Sequence, residues 1–142
     1  MNIYIGCDHA GFEYKQQLLD IFSMKDCGCF SSNSVDYPDI AKSVCEKVNS
    51  DLSNNIESVG ILICGSGIGM SMAANKIPNI RCALVYETEC AILTRKHNNA
   101  NVLALGARIS SLTEIKLIIE MFLKTEFEGG RHQKRIDKLK TF

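Results

Sequence analysis

Between Val59 and Cys64 every residue except Gly60 is apolar, and the chain then turns through Gly65-Ser66-Gly67-Ile68-Gly69. A short apolar run without polar alternation is the pattern of a strand covered on both faces. Such strands belong to sheets sandwiched between helices, so this one segment points to a layered α/β architecture. The turn after it opens a helix over Met70–Asn75, which Pro78 shuts off.

The rest of the chain repeats the alternation. Met1–Cys7, Arg81–Val85 and Asn101–Leu105 read as further strands, and Lys25–Phe30 as a weak one broken by two cysteines and a glycine. Helical spacing of apolar residues runs through Phe12–Met24. A helix start at Asp36-Tyr37-Pro38-Asp39 is followed by Ile40, Ala41, Val44 and Val48. Glu87–His97 and the apolar Leu112–Lys124 read as helices, and Gly129–Phe142 as a basic tail ending in one. Together these predict one domain over 1–142: a doubly wound, five-stranded, mostly parallel, Rossmann-like sheet with a C-terminal helical tail at 126–142. Right-handed crossovers place helices on both faces, and ligands bind beyond the carboxyl ends of the strands.

Sixteen basic residues balance sixteen acidic ones, so bulk charge does not suggest nucleic acid. No apolar run reaches the roughly 18 residues a membrane span needs, and no secretory signal is visible. The seven cysteines form no C-x-x-C pair, and Cys27-Gly28-Cys29 lacks a matching second pair. A zinc site is therefore not expected, and reduced thiols in a cytosolic protein are the simplest reading.

The chemistry-bearing residues gather after the strands. Glycines at 65, 67 and 69 allow a ligand close to the backbone, and the helix that follows offers N–H groups to an anion. A dinucleotide G-x-G-x-x-G would need glycine at Met70 or Met72, although Glu87 could serve as its ribose-binding acid. The phosphate-loop pattern fails because Gly6 and Gly11 are followed by Phe12-Glu13. A thiol between a strand end and a helix N-terminus, as at Cys64, is placed to be more nucleophilic than an inert core cysteine. Asp8 and His9 follow the first strand at the same edge, where Asp8 fits either a ligand contact or a helix cap. His97 fits a proton shuttle or a helix C-terminal charge. Arg108 follows the fifth strand, and Arg131, His132, Lys134 and Arg135 crowd the tail, as a phosphate fork or a solvated basic face.

In order along the chain, Gly6-Cys7-Asp8-His9-Ala10-Gly11, Asp36-Tyr37-Pro38, Ile63–Gly69, Ala73-Ala74-Asn75-Lys76, His97-Asn98 and Gly129–Arg135 resemble type B ribose-5-phosphate isomerases. That family also contains enzymes acting on galactose 6-phosphate and allose 6-phosphate. The resemblance implies an aldose–ketose isomerase without cofactor or metal, with Cys64 as the base at the sugar's C2. It implies that His97 opens the furanose ring with help from Asp8, and that Ser66 and the amides of Gly65, Gly67, Ile68 and Gly69 stabilise an enediolate. His9, Arg108, Arg131 and Arg135 would hold the phosphate, Asn98 would touch the sugar and Tyr37 would line the site. Members lacking the cysteine use a glutamate at the position of Met70, so this chain is similar to the cysteine-type subgroup. The family forms homodimers, sometimes tetramers, with sites shared between subunits. The alternatives are a hexose 6-phosphate isomerase, or a nucleotide or sugar-phosphate binding module without catalysis.

Overall fold

The structure, a computed structural model, describes residues 1–142. Its strands are β1 (Asn2–Cys7), β2 (Lys25–Asp26), β3 (Ser58–Cys64), β4 (Cys82–Leu84) and β5 (Val102–Gly106). Its helices are α1 (Phe12–Leu19), α2 (Tyr37–Ser53), α3 (Ile68–Ala74), α4 (Thr88–Asn98), α5 (Leu112–Lys124) and α6 (Arg131–Leu139). The strands lie in the order β2-β1-β3-β5-β4, and every pairing is parallel rather than most of them.

Side chains alternate across the strands and feed two cores. On one face Ile5, Ile61, Ile63, Leu103 and Leu105 pack with Leu18 of α1, Ala91 of α4 and Ile115, Ile118, Ile119 and Phe122 of α5. On the other, Tyr4, Leu62, Cys64, Val102 and Ala104 pack with Ala41, Val44 and Val48 of α2 and Met70 and Ala74 of α3. All seven residues of β3 are buried, as the apolar run requires of the middle strand. At roughly 1.5–3 kcal/mol per fully buried aliphatic side chain, β3 and its two neighbours supply much of the drive for folding.

Local signals explain the helix ends. Pro38 occupies the first turn of α2, where its missing N–H costs nothing. Ser111 Oγ accepts from the Glu114 amide at 3.1 Å, and the Glu114 carboxylate accepts from the Ser111 amide at 2.9 Å. This capping box starts α5 at the residue that periodicity predicts.

Two boundaries depart from the sequence reading by more than two residues. The second strand stops at Asp26 instead of Phe30: the chain still bonds to β1 through Cys27, Gly28 and Cys29, but Gly28, with φ +103°, breaks the regular ladder. Helix α1 ends at Leu19, not Met24; the Asp20 amide bonds back to Gln17 and Leu18 in a closing turn. Lys15, on the inward face of α1, is fully buried, with Nζ donating to Asp26 Oδ1 at 2.6 Å and to the Cys29 carbonyl.

Candidate active site

After β1 the chain passes to α1 on one face, and after β3 to α3 on the other. Neighbouring parallel strands whose connections diverge leave a crevice at their carboxyl ends. The Asp8 amide donates to the Ile63 carbonyl at 3.0 Å, which ties the two departing loops together at its floor.

A cleft of about 360 Å³ opens there, lined by Asp8, Tyr37, Cys64, Gly65, Ser66, Gly69, Arg108 and Ile109. Cys64 is the last residue of β3 and only 5% exposed. Its sulfur accepts from the Gly67 amide at 3.1 Å. Gly67 precedes α3 with φ +81°, a left-handed conformation suited to glycine, and a side chain there would meet the Leu105 carbonyl carbon at 2.9 Å. The Ser66 carbonyl accepts from the Tyr86 hydroxyl at 2.7 Å, and Ser66 Oγ accepts from the Ile68 amide at 3.2 Å. Tyr37 lies across Gly69, whose missing side chain makes room for the ring: a Cβ would sit 2.6 Å from Tyr37 Cζ. The Arg108 guanidinium extends over Gly65. Asp8 accepts from the Ala10 amide at 2.9 Å, so it both caps the 3₁₀ turn His9–Gly11 and faces the cleft. His9 Nδ1 accepts from the Val35 amide at 3.4 Å.

The remaining residues named from the sequence lie elsewhere. His97, Asn98 and Arg135 line a second cavity, of about 340 Å³, with His132, Ile136 and Leu139. His97 and Asn98 close α4, and Arg131 begins α6, exposed. Within one chain the structure thus sorts most of the named residues into a thiol cleft and a histidine–arginine cavity, while His9, Gly67, Ile68 and Arg131 line neither. Glu87 follows β4 and lines neither the thiol cleft nor the His97 cavity.

Sequence reasoning placed His132 in a basic cluster and gave it no task, yet it is buried and stacks on His97, with centroids 4.5 Å apart and planes 16° from parallel. Burial, with the charges of His97, Arg131 and Arg135, holds its imidazole below the usual histidine range, against the opposing pull of Glu128. His97, Glu128 and His132 bring one ligand atom each within 4.8 Å of one another. Imidazole lone pairs lie in the ring plane, so those of two stacked rings run side by side and do not converge on one ion. The arrangement is a stacked pair, not a chelate. Tyr86 and Ile109 were also missed; both sit on loops after strands, which periodicity does not read.

The ribose/galactose isomerase family model matches residues 3–139. The chain belongs to this family. Ribose-5-phosphate isomerase B of Escherichia coli strain K12 is 39% identical over 142 residues, covering 96% of this chain and 93% of its own. The family fold is equally close: a Clostridium thermocellum ribose-5-phosphate isomerase B structure superposes with a TM-score of 0.93 at 41% identity, over 99% of this chain and 96% of that one. Another family structure, ribose-5-phosphate isomerase B of Mycoplasma genitalium with bound ribulose-5-phosphate, gives a TM-score of 0.88 at 42% identity, over 99% and 94%. The protein is therefore an isomerase with the Rossmann-like family fold. No helix is long and apolar enough to cross a membrane.

Proposed function

We propose that this isomerase interconverts ribose 5-phosphate and ribulose 5-phosphate through an enediolate, with Cys64 as the base. The observation that carries the reading is the Cys64 sulfur at the floor of a cleft whose other walls are Asp8, Ser66 and Arg108, within hydrogen-bond reach of the Gly67 amide. Its similarity to a Mycoplasma genitalium enzyme that binds ribulose-5-phosphate supports the choice of a pentose.

The steps follow from acid–base chemistry. His97 moves a proton from the anomeric hydroxyl to the ring oxygen, breaking the C1–O4 bond and freeing the aldehyde, with Asp8 assisting. The Cys64 thiolate takes the C2 proton, and the electron pair moves to O1 as an enediolate. Amides of Gly65–Gly69 and the Ser66 hydroxyl stabilise that charge as an oxyanion hole does. The proton on Cys64 returns to C1, O2 becomes the ketone and its proton passes to O1. Tyr37 lines the pocket, Asn98 holds the sugar, and His9, Arg108, Arg131 and Arg135 bind the phosphate by charge-assisted bonds.

The complete site is formed in a homodimer, where the thiol cleft of one protomer meets the His97 cavity of another across the tail 126–142. Two observations support this: the two halves line separate cavities, and Ile68, Met72 and Ile109 near the cleft are 44%, 65% and 55% exposed. The test is a panel of ribose, allose and galactose phosphates assayed for ketose formation, with protomer mass measured in solution. Turnover of ribose 5-phosphate at least tenfold above the hexoses by a dimer is expected. Preference for a hexose phosphate, or a monomer with full activity, overturns the corresponding part.

A further inference from the structure

His132 is the one buried polar side chain of the His97 cavity, and its burial buys no hydrogen bond. It is 7% exposed, and its Nε2 has no hydrogen-bond partner. The nearest carboxylate oxygen, on Glu128, lies at 3.6 Å, beyond hydrogen-bond range. An unpaired buried nitrogen costs about 1–3 kcal/mol, so its place calls for an explanation other than stability.

The explanation lies in what the ring touches. His97 stands partly exposed in the last turn of α4, with no side-chain hydrogen bond to fix its imidazole. A terminal ring of this kind turns broadly about χ2. The stacked ring of His132 supplies a flat wall that fixes the plane. His132 is held in turn by α6, the helix that carries Arg131 and Arg135.

We propose that His132 is a positioning residue for His97, its ring fixing the imidazole plane for proton transfer during ring opening. Because α6 also presents Arg131 and Arg135, phosphate capture and ring opening share one support. The proposal rests on the ring-opening reading of His97, so the experiment tests the two separately.

Ring opening also occurs slowly in solution. An enzyme that cannot open the ring converts ribose 5-phosphate no faster than solution supplies the open form, however much enzyme is added. Proton exchange at C1 of ribulose 5-phosphate in D₂O needs no ring opening and reports the base alone. Both are measured for the full-length protein as His97→Asn, His132→Ala and His132→Phe, with melting temperatures.

His97→Asn and His132→Ala are expected to reach the plateau, with turnover at limiting enzyme down about tenfold or more, as small misplacements of a catalytic group cause. C1 exchange stays within about twofold of the wild type. His132→Phe, which keeps the flat wall and removes the unpaired nitrogen, recovers at least half of the forward rate. If His97→Asn itself shows no plateau, the ring-opening reading falls. If His97→Asn plateaus while His132→Ala scales like wild type, that reading stands and the positioning role falls. The positioning role also falls if His132→Phe is as poor as His132→Ala, if His132→Ala raises only KM, or if its C1 exchange collapses with its forward rate.

Discussion

The amide of Gly67 donates to the sulfur of Cys64 across 3.1 Å, closing a turn in which the proposed base and a backbone dipole are three residues apart. A thiolate gains more from that bond than a thiol does. Cys64→Ala is expected to lower isomerisation by about 10²–10⁴-fold, the usual worth of a positioned base, while leaving the melting temperature within a few degrees. C1 exchange of ribulose 5-phosphate, followed by NMR in D₂O, is the direct check. Exchange near the wild-type rate would remove Cys64 from the role.

Alkylation gives a second view of the cysteines. Burial pushes the thiols of Cys7 and Cys45 up to about 12, and raises Cys82 as well. Cys90 is exposed and Cys64 lines an open cleft. Iodoacetamide at pH 8 is expected to label Cys90 and Cys64 first, with ribulose 5-phosphate protecting only Cys64. Peptide mass mapping over time reads the order; equal labelling of Cys45 and Cys64 would contradict it.

Gly67 and Gly69 separate stability from substrate handling. Gly67→Ala forces a left-handed residue and sets a Cβ against the Leu105 backbone, for a cost of about 1–3 kcal/mol in urea unfolding. At Gly69→Ala the three atoms nearest the new Cβ all belong to the Tyr37 ring, which is 39% exposed and so has solvent to yield into. Its expected signature is a several-fold change in KM with little loss of stability.

The buried lysine makes an asymmetric prediction. Lys15 is fully enclosed, while the Asp26 side chain keeps 25% of its exposure. Asp26→Ala strands a charge that water cannot reach, at a cost of about 3–5 kcal/mol. Lys15→Met leaves a carboxylate that can still hydrate, so the loss in urea unfolding is expected to be smaller.

His132 links stability to pH. Its folded imidazole resists protonation, chiefly through desolvation and the nearby His97, Arg131 and Arg135, opposed by Glu128. In the unfolded chain it takes up a proton below about 6.5. The contribution is therefore present above that pH and lost as pH falls from there toward the depressed folded value. His132→Phe should show a flatter decline of melting temperature between pH 7 and 5 than the wild type.

What could be read from the residues follows how far each is decided by its neighbours in sequence. The β3 run, Pro38 in α2 and the apolar spacing from Leu112 are local signals, and each element appears where expected; the Ser111–Glu114 box is equally local but was not read. Cys64, Asp8, Ser66 and Arg108 were legible because strand ends converge on one rim, Tyr37 only through the family resemblance, and the structure brings all five to one cleft. Lys15 was not, since its partner Asp26 comes from a different element, β2, and a single lysine in a helical stripe looks solvated. The pairing of His132 with His97 is formed by two helices distant in sequence, which no spacing rule encodes.

Met70 lies fully buried in the same core cluster as Cys64. A glutamate introduced there alone would place a carboxylate in that apolar cluster, and removing the thiol alone would leave the proposed reaction without its base. On the proposed mechanism, passage between thiol and carboxylate chemistry therefore needs both positions to change together, with each single intermediate less fit than either end. For a lineage carrying this pair, the cysteine behaves as a ratchet: easy to keep, and hard to leave by one mutation at a time.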